Sequence, residues 1–330
     1  MIISVIIPVY NAEKHIIKCL ESIVKAKNSI AIEILIIDDG STDNSKFLCE
    51  NIAKRYSFIK IVSQKNMGPS VARNKGISIA KGEFIVFVDA DDYVEPTYLE
   101  ELYGSISYNN SDLACCGYLD HSMYGVVYST NYDKDFFHSA NEFLPYVLNK
   151  VGGVLWDKIF KREMIINNKI SFKTGLNLSE DLLFVLSYLK FTNFISIISS
   201  NLYNYNRIDQ SGLSKKLDLN HYKNIIKVND LVLDMLKNFN VSQDLVLGLL
   251  NNRKQCFLIQ FCYQISLDKS SYKSKIKRIK ELRFQEKASD FFSFSELRYF
   301  EYPIVYFITS KLYIQVIIYC KLLNFLKNLK

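Results

Sequence analysis

Three carboxylates within four residues, Asp89, Asp91 and Asp92, are the strongest chemical signal in the chain. They follow Phe84-Ile-Val-Phe-Val88, an apolar run rich enough in β-branched and aromatic residues to read as a buried strand. Carboxylates crowded at a strand end repel one another and resist desolvation unless a cation or hydrogen-bond donors share the site. The Asp89-Ala90-Asp91 spacing lets two of them face one ligand. Hard oxygen ligands of this kind suit Mg2+ or Mn2+ held jointly with substrate phosphates. The competing reading is an acidic turn in which Asp92 caps the next helix.

The elements that must position these groups repeat a simple pattern. Apolar runs at Ile2–Pro8, Ile32–Ile37, Phe58–Ser63 and Phe84–Val88 predict four strands. Between them, helices are expected over Ala12–Lys25, from the Ser41-Thr42-Asp43 cluster to Tyr56, and over Pro69–Ala80 with proline in the first turn. Strands alternating with helices of this length build right-handed βαβ units and a parallel sheet. Tyr10 and Asn11 follow the first strand, Asp38 and Asp39 the second, Asn66 and Gly68 the third, and Asp89–Asp92 the fourth. All fall at carboxyl ends of strands, where open α/β sheets bind ligands. Neither a G-x-G-x-x-G nor a G-x-x-x-x-G-K-[ST] motif is present, so phosphates must be met by a metal and basic side chains. Arg73, one turn into the third helix, is placed to fork onto a diphosphate or to hold Asp91 or Asp92.

Four segments resemble family 2 glycosyltransferases of the GT-A fold: Val5-Ile-Ile-Pro-Val-Tyr-Asn11, Ile36-Ile-Asp-Asp-Gly-Ser-Thr-Asp43, Asn66-Met-Gly-Pro-Ser-Val-Ala-Arg-Asn74 and Val88-Asp-Ala-Asp-Asp92. Their order and spacing match as well as their residues, strongly over 1–120 and more weakly to about 215. The resemblance implies an inverting, metal-dependent transferase that uses a nucleotide-diphosphate sugar, with a UDP-hexose or UDP-N-acetylhexosamine expected. It assigns Pro8, Val9, Tyr10 and Asp39 to the base and ribose, Asp89 to the ribose or donor sugar and to the metal, and Asp91 to the metal. Asn11, Asp38, Asn66, Gly68, Arg73, Ala90 and Asp92 complete the donor side. Arg207, in Tyr203-Asn-Tyr-Asn-Arg207, is expected near the diphosphate.

The second stretch, 111–215, is expected to serve the acceptor. Strands are predicted at Asp112–Tyr118 and Tyr128–Tyr132. Trp156, the only tryptophan, reads equally as a core anchor or a sugar-stacking platform, and Lys158 beside it as a cationic tip. Ser179 reads as an N-cap, with Glu180 and Asp181 in the first helical turn, where the dipole favours negative charge. Inverting transfer needs a base at the acceptor hydroxyl, opposite the departing diphosphate. In the resembling family a Glu-Asp pair at this place supplies it, so Asp181, with Glu180 beside it, is the expected base, kept ionised by the helix dipole.

Composition bounds the setting. The chain has 330 residues, is 49% hydrophobic and 23% charged, and is therefore globular. Seven cysteines without metal-ligand spacing suggest reduced thiols, and the N-terminus lacks a leader's basic region, so a cytoplasmic protein is expected. Residues 211–330 carry 20 Lys and Arg against 10 Asp and Glu, a net of +10. Their pattern is helical, over about 218–239, 243–267 and 272–287, and Tyr302–Leu329 is rich in Ile, Tyr and Leu but broken by Lys311, Lys321 and Lys327, with no apolar run long enough to span a bilayer. A basic, aromatic-rich tail over 269–330 suits peripheral contact with an anionic inner leaflet, although the polar positions of 309–330 do not gather on one face. No nucleic-acid motif is found.

The sequence thus predicts a glycosyltransferase domain over 1–215, with a nucleotide-sugar half at 1–110 and an acceptor half at 111–215, followed by a helical extension over 216–330. The acceptor expected is a hydroxyl of a bacterial surface-glycan intermediate, lipid-linked or free. Two rivals carry different chemistry. A non-catalytic sugar-nucleotide-binding subunit would need Asp39 and Asp91 but not Asp181. A nucleotidyltransferase would need a glycine-rich basic loop where Tyr10-Asn11-Ala12 stands.

Overall fold

The computed structural model describes residues 2–122, 125–128, 132, 134–149, 153–176, 179–206, 219–237, 239–284 and 300–327. The chain divides into two compact units, Met1–Ser211 and Gly212–Lys330.

The first unit is built on one mixed sheet. Its strands are β1 (Ile3–Val9), β2 (Ile32–Asp38), β3 (Ile59–Ser63), β4 (Phe84–Phe87), β5 (Tyr93–Val94), β6 (Leu113–Ser122), β7 (Gly125–Tyr128), β8 (Phe136–Phe137), β9 (Lys158–Lys161) and β10 (Ile195–Asn206). The order is β3-β2-β1-β4-β9-β6-β10-β5, with β7 against β6 and β8 against β10. The first four strands are parallel, as are β6 and β10, whereas β9 runs antiparallel between β4 and β6. Of the strand predicted over Tyr128–Tyr132, Tyr128 closes β7, and 129–131 lie outside the described residues.

Helices α1 (Ile16–Ala26), α2 (Ser45–Ala53), α3 (Pro69–Ile79) and α4 (Tyr98–Tyr108) flank the sheet, followed by α5 (Ala140–Asn149), α6 (Arg162–Asn167) and α7 (Glu180–Leu189). Every residue of β2 is buried, as a strand covered on both faces requires. Register puts Val9 beside Asp38 and Asp38 beside Ser63, so the ends of the first three strands form one row.

Two helices start later than the sequence suggests, and for one reason. The N–H groups of Asn11, Ala12 and Glu13 donate to Ser41 Oγ (3.2 Å), Ser45 Oγ (2.7 Å) and Asp43 Oδ2 (3.1 Å), while Asn11 Oδ1 accepts from Thr42 N–H (2.8 Å). The side chains expected to start α2 thus tie two strand-end loops together. Asn11 meets the geometry with a left-handed φ of 51°.

Gly76 of α3 packs directly on β1: a Cβ there would lie 2.4 Å from Ile6 Cγ2, in the fully buried core. This approach sets how close α3, and Arg73 on it, lies to the strand ends.

The second unit holds α8 (Leu219–Leu236), α9 (Gln243–Leu267), α10 (Tyr272–Phe284), α11 (Tyr302–Thr309) and α12 (Tyr313–Lys327). The apolar stretch from 302 forms two helices, parted where Lys311 takes a φ of 61°. Among the described residues no helix is long and apolar enough to cross a membrane.

Gly76→Ala should lower stability by about 1–3 kcal/mol in urea melts, because the new methyl overpacks against Ile6. Gly104→Ala on α4 is the control, since a Cβ there meets only Tyr108 ring atoms at 3.7 Å. It should be neutral, or stabilising by up to about 1 kcal/mol.

Candidate active site

The acidic turn after β4 is held from behind by β10. Tyr203 Oη donates to Asp92 Oδ2 (2.7 Å) and accepts from Asp89 N–H (3.2 Å), while Asn206 N–H donates to Asp92 Oδ1 (2.7 Å) and Asn206 Nδ2 to the Asp91 carbonyl (3.2 Å). The Cys19 thiol reaches the Asp89 carbonyl at 3.6 Å. Tyr203 is itself fully buried, stacked on Trp156 with ring centroids 4.4 Å apart, and Tyr98 Oη donates to the Trp156 carbonyl at 2.6 Å.

Three carboxylates of almost adjacent sequence therefore have three different environments. Asp92 is buried, and burial followed by repulsion from Asp91 and Asp89 pushes its pKa well above the carboxylate range. Its two oxygens are spent on β10, so it is a clasp for the turn and not the donor ligand expected from the sequence. Nor does it cap α4, whose N-cap is Thr97. Asp91 is exposed, and Asp89 is partly so.

Arg73 ties the turn to the start of α7. Its Nη2 donates to Asp89 Oδ1 at 2.9 Å, and its Nη1 to Glu180 Oε1 at 3.1 Å and Asp181 Oδ1 at 3.0 Å. Burial works against the guanidinium's charge, but Asp181, Asp89 and Glu180 together raise its pKa above the ordinary arginine value. Both terminal nitrogens are committed to Asp89, Glu180 and Asp181, so the expected fork onto a diphosphate, or onto Asp91 or Asp92, is replaced by a clamp.

One guanidinium facing three carboxylates leaves negative charge in excess. Burial, and then Glu180 and Asp89, raise the Asp181 carboxyl to about 8, while Arg73 opposes the shift. This corrects the expectation that the helix dipole keeps Asp181 ionised. Ser179 stands at the N-cap position as expected, but it sits in the left-handed region at a φ of 66° and makes no capping bond through its side chain.

The other strand ends complete the rim. Asp39 is buried and accepts from Gln64 Nε2 (2.8 Å), Met67 N–H (2.9 Å) and Gly68 N–H (2.8 Å), so it shapes the loop that carries Asn66. Gly68 turns its N–H inward with a φ of 90°, a conformation that favours glycine, immediately before Pro69 opens α3. Asp38 is likewise buried, with Oδ1 on Ser41 N–H at 3.1 Å. Pro8 and Val9 end β1, and the Tyr10 ring beyond them is half exposed. Ala90 is buried within the turn.

Two expected acceptor residues belong to the core instead. Trp156 is stacked between Tyr203 and Tyr205 and meets Tyr118 edge-on. Lys158 is fully buried in an ion pair with Asp157 at 2.6 Å, itself fully buried and bonded by Tyr132 Oη at 3.3 Å. Arg207 lies outside the described residues. A polar string at the ends of β6 and β10 escaped the sequence reading. His121 Nε2 meets Tyr93 Oη (3.1 Å) and Asn204 Oδ1 (2.7 Å), and Asn204 Nδ2 donates to Glu95 Oε1 (2.8 Å). Its members come from three distant segments, with no local motif to announce them.

Among the described residues no group of three or more metal-ligating side chains assembles. The exposed Asp91 and the partly exposed Asp89 instead offer the one or two hard oxygens that Mg2+ or Mn2+ takes from protein when substrate phosphates supply the remainder. The donor set fits such an ion.

Residues 4–167 match the family described as glycosyl transferase family 2. The chain is 34% identical over 254 residues to the cholesterol galactosyltransferase of Borreliella burgdorferi, covering 71% of this chain and 66% of that protein, just under two thirds of its length. It is 30% identical over 251 residues to the uncharacterized glycosyltransferase YibD of Escherichia coli, covering 72% of each. Among solved structures, S. aureus TarS 1-349 in complex with UDP-GlcNAc aligns with a TM-score of 0.64 at 21% identity, over 97% of this chain and 91% of that one, and shares its GT-A fold.

Removing the clamp should expose its charge imbalance. Arg73→Met is expected to cost about 1–3 kcal/mol, because it leaves partly buried carboxyls without their charged partner. Folding then raises the stranded carboxyls' pKa values, so the deficit is greatest above about pH 8 and shrinks as the pH falls and they protonate. Melting curves of both proteins across pH 5–9 measure it.

Proposed function

The chain belongs to glycosyl transferase family 2, and from that premise we propose that it moves a hexose or N-acetylhexosamine, with inversion, from a UDP-sugar to a hydroxyl of a bacterial surface-glycan intermediate. The observation that carries this reading is the Arg73 clamp. It joins the acidic turn, where a diphosphate and its cation belong, to the carboxyls at the start of α7. A binding subunit has no use for that connection.

In this mechanism Tyr10, with Pro8 and Val9, borders the base and ribose, and the Asp39-held loop forms the facing rim. Asp91, with Asp89, would hold a divalent ion, which would offset the charge that builds on the leaving diphosphate. Asp181 accepts the acceptor's hydroxyl proton as that oxygen attacks the anomeric carbon in line and the bond to the diphosphate breaks. Arg73 fixes the direction of Asp181 and lowers the carboxyl's proton affinity from the height that burial alone would give it. Glu180 shares the guanidinium and so tunes its neighbour.

Three results test the reading. Asp181→Asn keeps size and helix position but cannot take the proton, so kcat should fall about 10²–10⁴-fold with donor affinity retained. Glu180→Gln should lose less. Wild-type rates in both variants would move the base elsewhere. Because Asp181 must be unprotonated to act and its carboxyl sits near 8, kcat/KM should rise with pH through about 8, not near 4. Asp91→Ala should abolish Mn2+-dependent UDP binding by calorimetry, while Glu50→Ala on α2 leaves it intact.

A further inference from the structure

Helix α12 is apolar on two opposite sides. Val316, Ile317 and Cys320 are buried in the helical unit. On the other side Ile314, Ile318, Leu322, Phe325 and Leu326 are each 49–60% exposed. Their spacing of four, four, three and one residues places all five within one arc of about 120° at 100° per residue. The sequence pattern hides this face, because burial on one side and exposure on the other are both written in Ile, Leu and Phe. A contiguous exposed apolar stripe of this kind marks an interaction surface in a soluble unit.

The residues beside the stripe say what covers it. Lys321 borders it and donates to Tyr272 Oη of α10 at 3.1 Å, and Lys280 of α10 lies 5.6 Å from the Tyr313 ring. These contacts hold α10 alongside α12. Lys273, Lys277 and Lys280 are exposed on α10 at i, i+4 and i+7, one lysine face on the neighbouring helix. A protein partner cut to fit would need a matching apolar ridge together with an acidic one. A bilayer supplies both chemistries at one depth: acyl chains for the stripe and anionic headgroups for the lysines. At 15 residues α12 is too short to span it.

We propose that the Ile314–Leu326 face of α12 lies in the interface of an anionic membrane, with the lysines of α10 and Lys321 at its headgroups. The inference is independent of the transfer chemistry.

The test uses the full chain with vesicles of phosphatidylcholine alone or mixed with phosphatidylglycerol. Phe325→Trp places a reporter in the stripe, and the native Trp156 is buried and common to all samples. Its emission should shift to the blue on mixed vesicles and be quenched by lipids brominated in the acyl chain. Phe47→Trp, on α2 and 61% exposed, should show neither change. Ile318→Ser with Phe325→Ser removes exposed groups only, so circular dichroism should be unchanged while vesicle affinity falls at least about tenfold. Lys273→Glu with Lys277→Glu and Lys280→Glu should abolish the preference for phosphatidylglycerol. An unshifted, unquenched Phe325→Trp on both vesicle types overturns the proposal. So does a wild-type dimer that the serine variant splits without any vesicle binding, which would assign the face to a second copy of this chain.

Discussion

The candidate site depends on one buried guanidinium. Arg73 meets three carboxylates from two places in the chain: one at the end of β4, and two successive ones at the start of α7. Without it, nothing printed in the local sequence would draw residues 89 and 181 together. A lysine could not substitute, because a single ammonium lacks the planar fork that reaches Asp89 with one nitrogen and Glu180 and Asp181 with the other. The imbalance of three negative groups against one positive group also sets the chemistry. It leaves Asp181 with a higher proton affinity than a surface aspartate, which suits the role of base proposed for it.

The acidic turn has a different kind of support. Its carboxylates repel, and the fold answers by burying one of them. Asp92 is spent on Tyr203 and Asn206, so that Asp89 and Asp91 keep their exposure and fixed directions. Tyr203 is in turn stacked on Trp156, and Tyr98 reaches the Trp156 backbone. An aromatic column in the core therefore sets the position of a polar turn at the surface. Loss of packing there would act on the site without touching a ligand.

The helical unit follows another logic. Its charge is carried mainly on surfaces, yet Lys275 is buried and donates to the Ser266 and Asp268 carbonyls, capping the turn between α9 and α10. The remaining lysines of α10 stay outward. Basic composition is thus divided between a structural use and an outward face, which a net charge cannot distinguish.

Much of this was legible in sequence because it is local. Alternating apolar runs and helices specify the parallel half of the sheet, since each strand's burial is written in its own residues. The polar residues at strand ends fall along one edge of the sheet, and Arg73 joins Asp89 there to the Glu180-Asp181 pair. What sequence could not decide was which of several like groups would face inward. Asp92 against Asp91, Lys158 against a surface lysine, Trp156 as column or platform, and the partner of Arg73 all turn on contacts between segments tens to a hundred residues apart. Burial and pairing are properties of the packed interior: the same carboxylate stays open to solvent when exposed and becomes a clasp when a tyrosine from β10 closes over it.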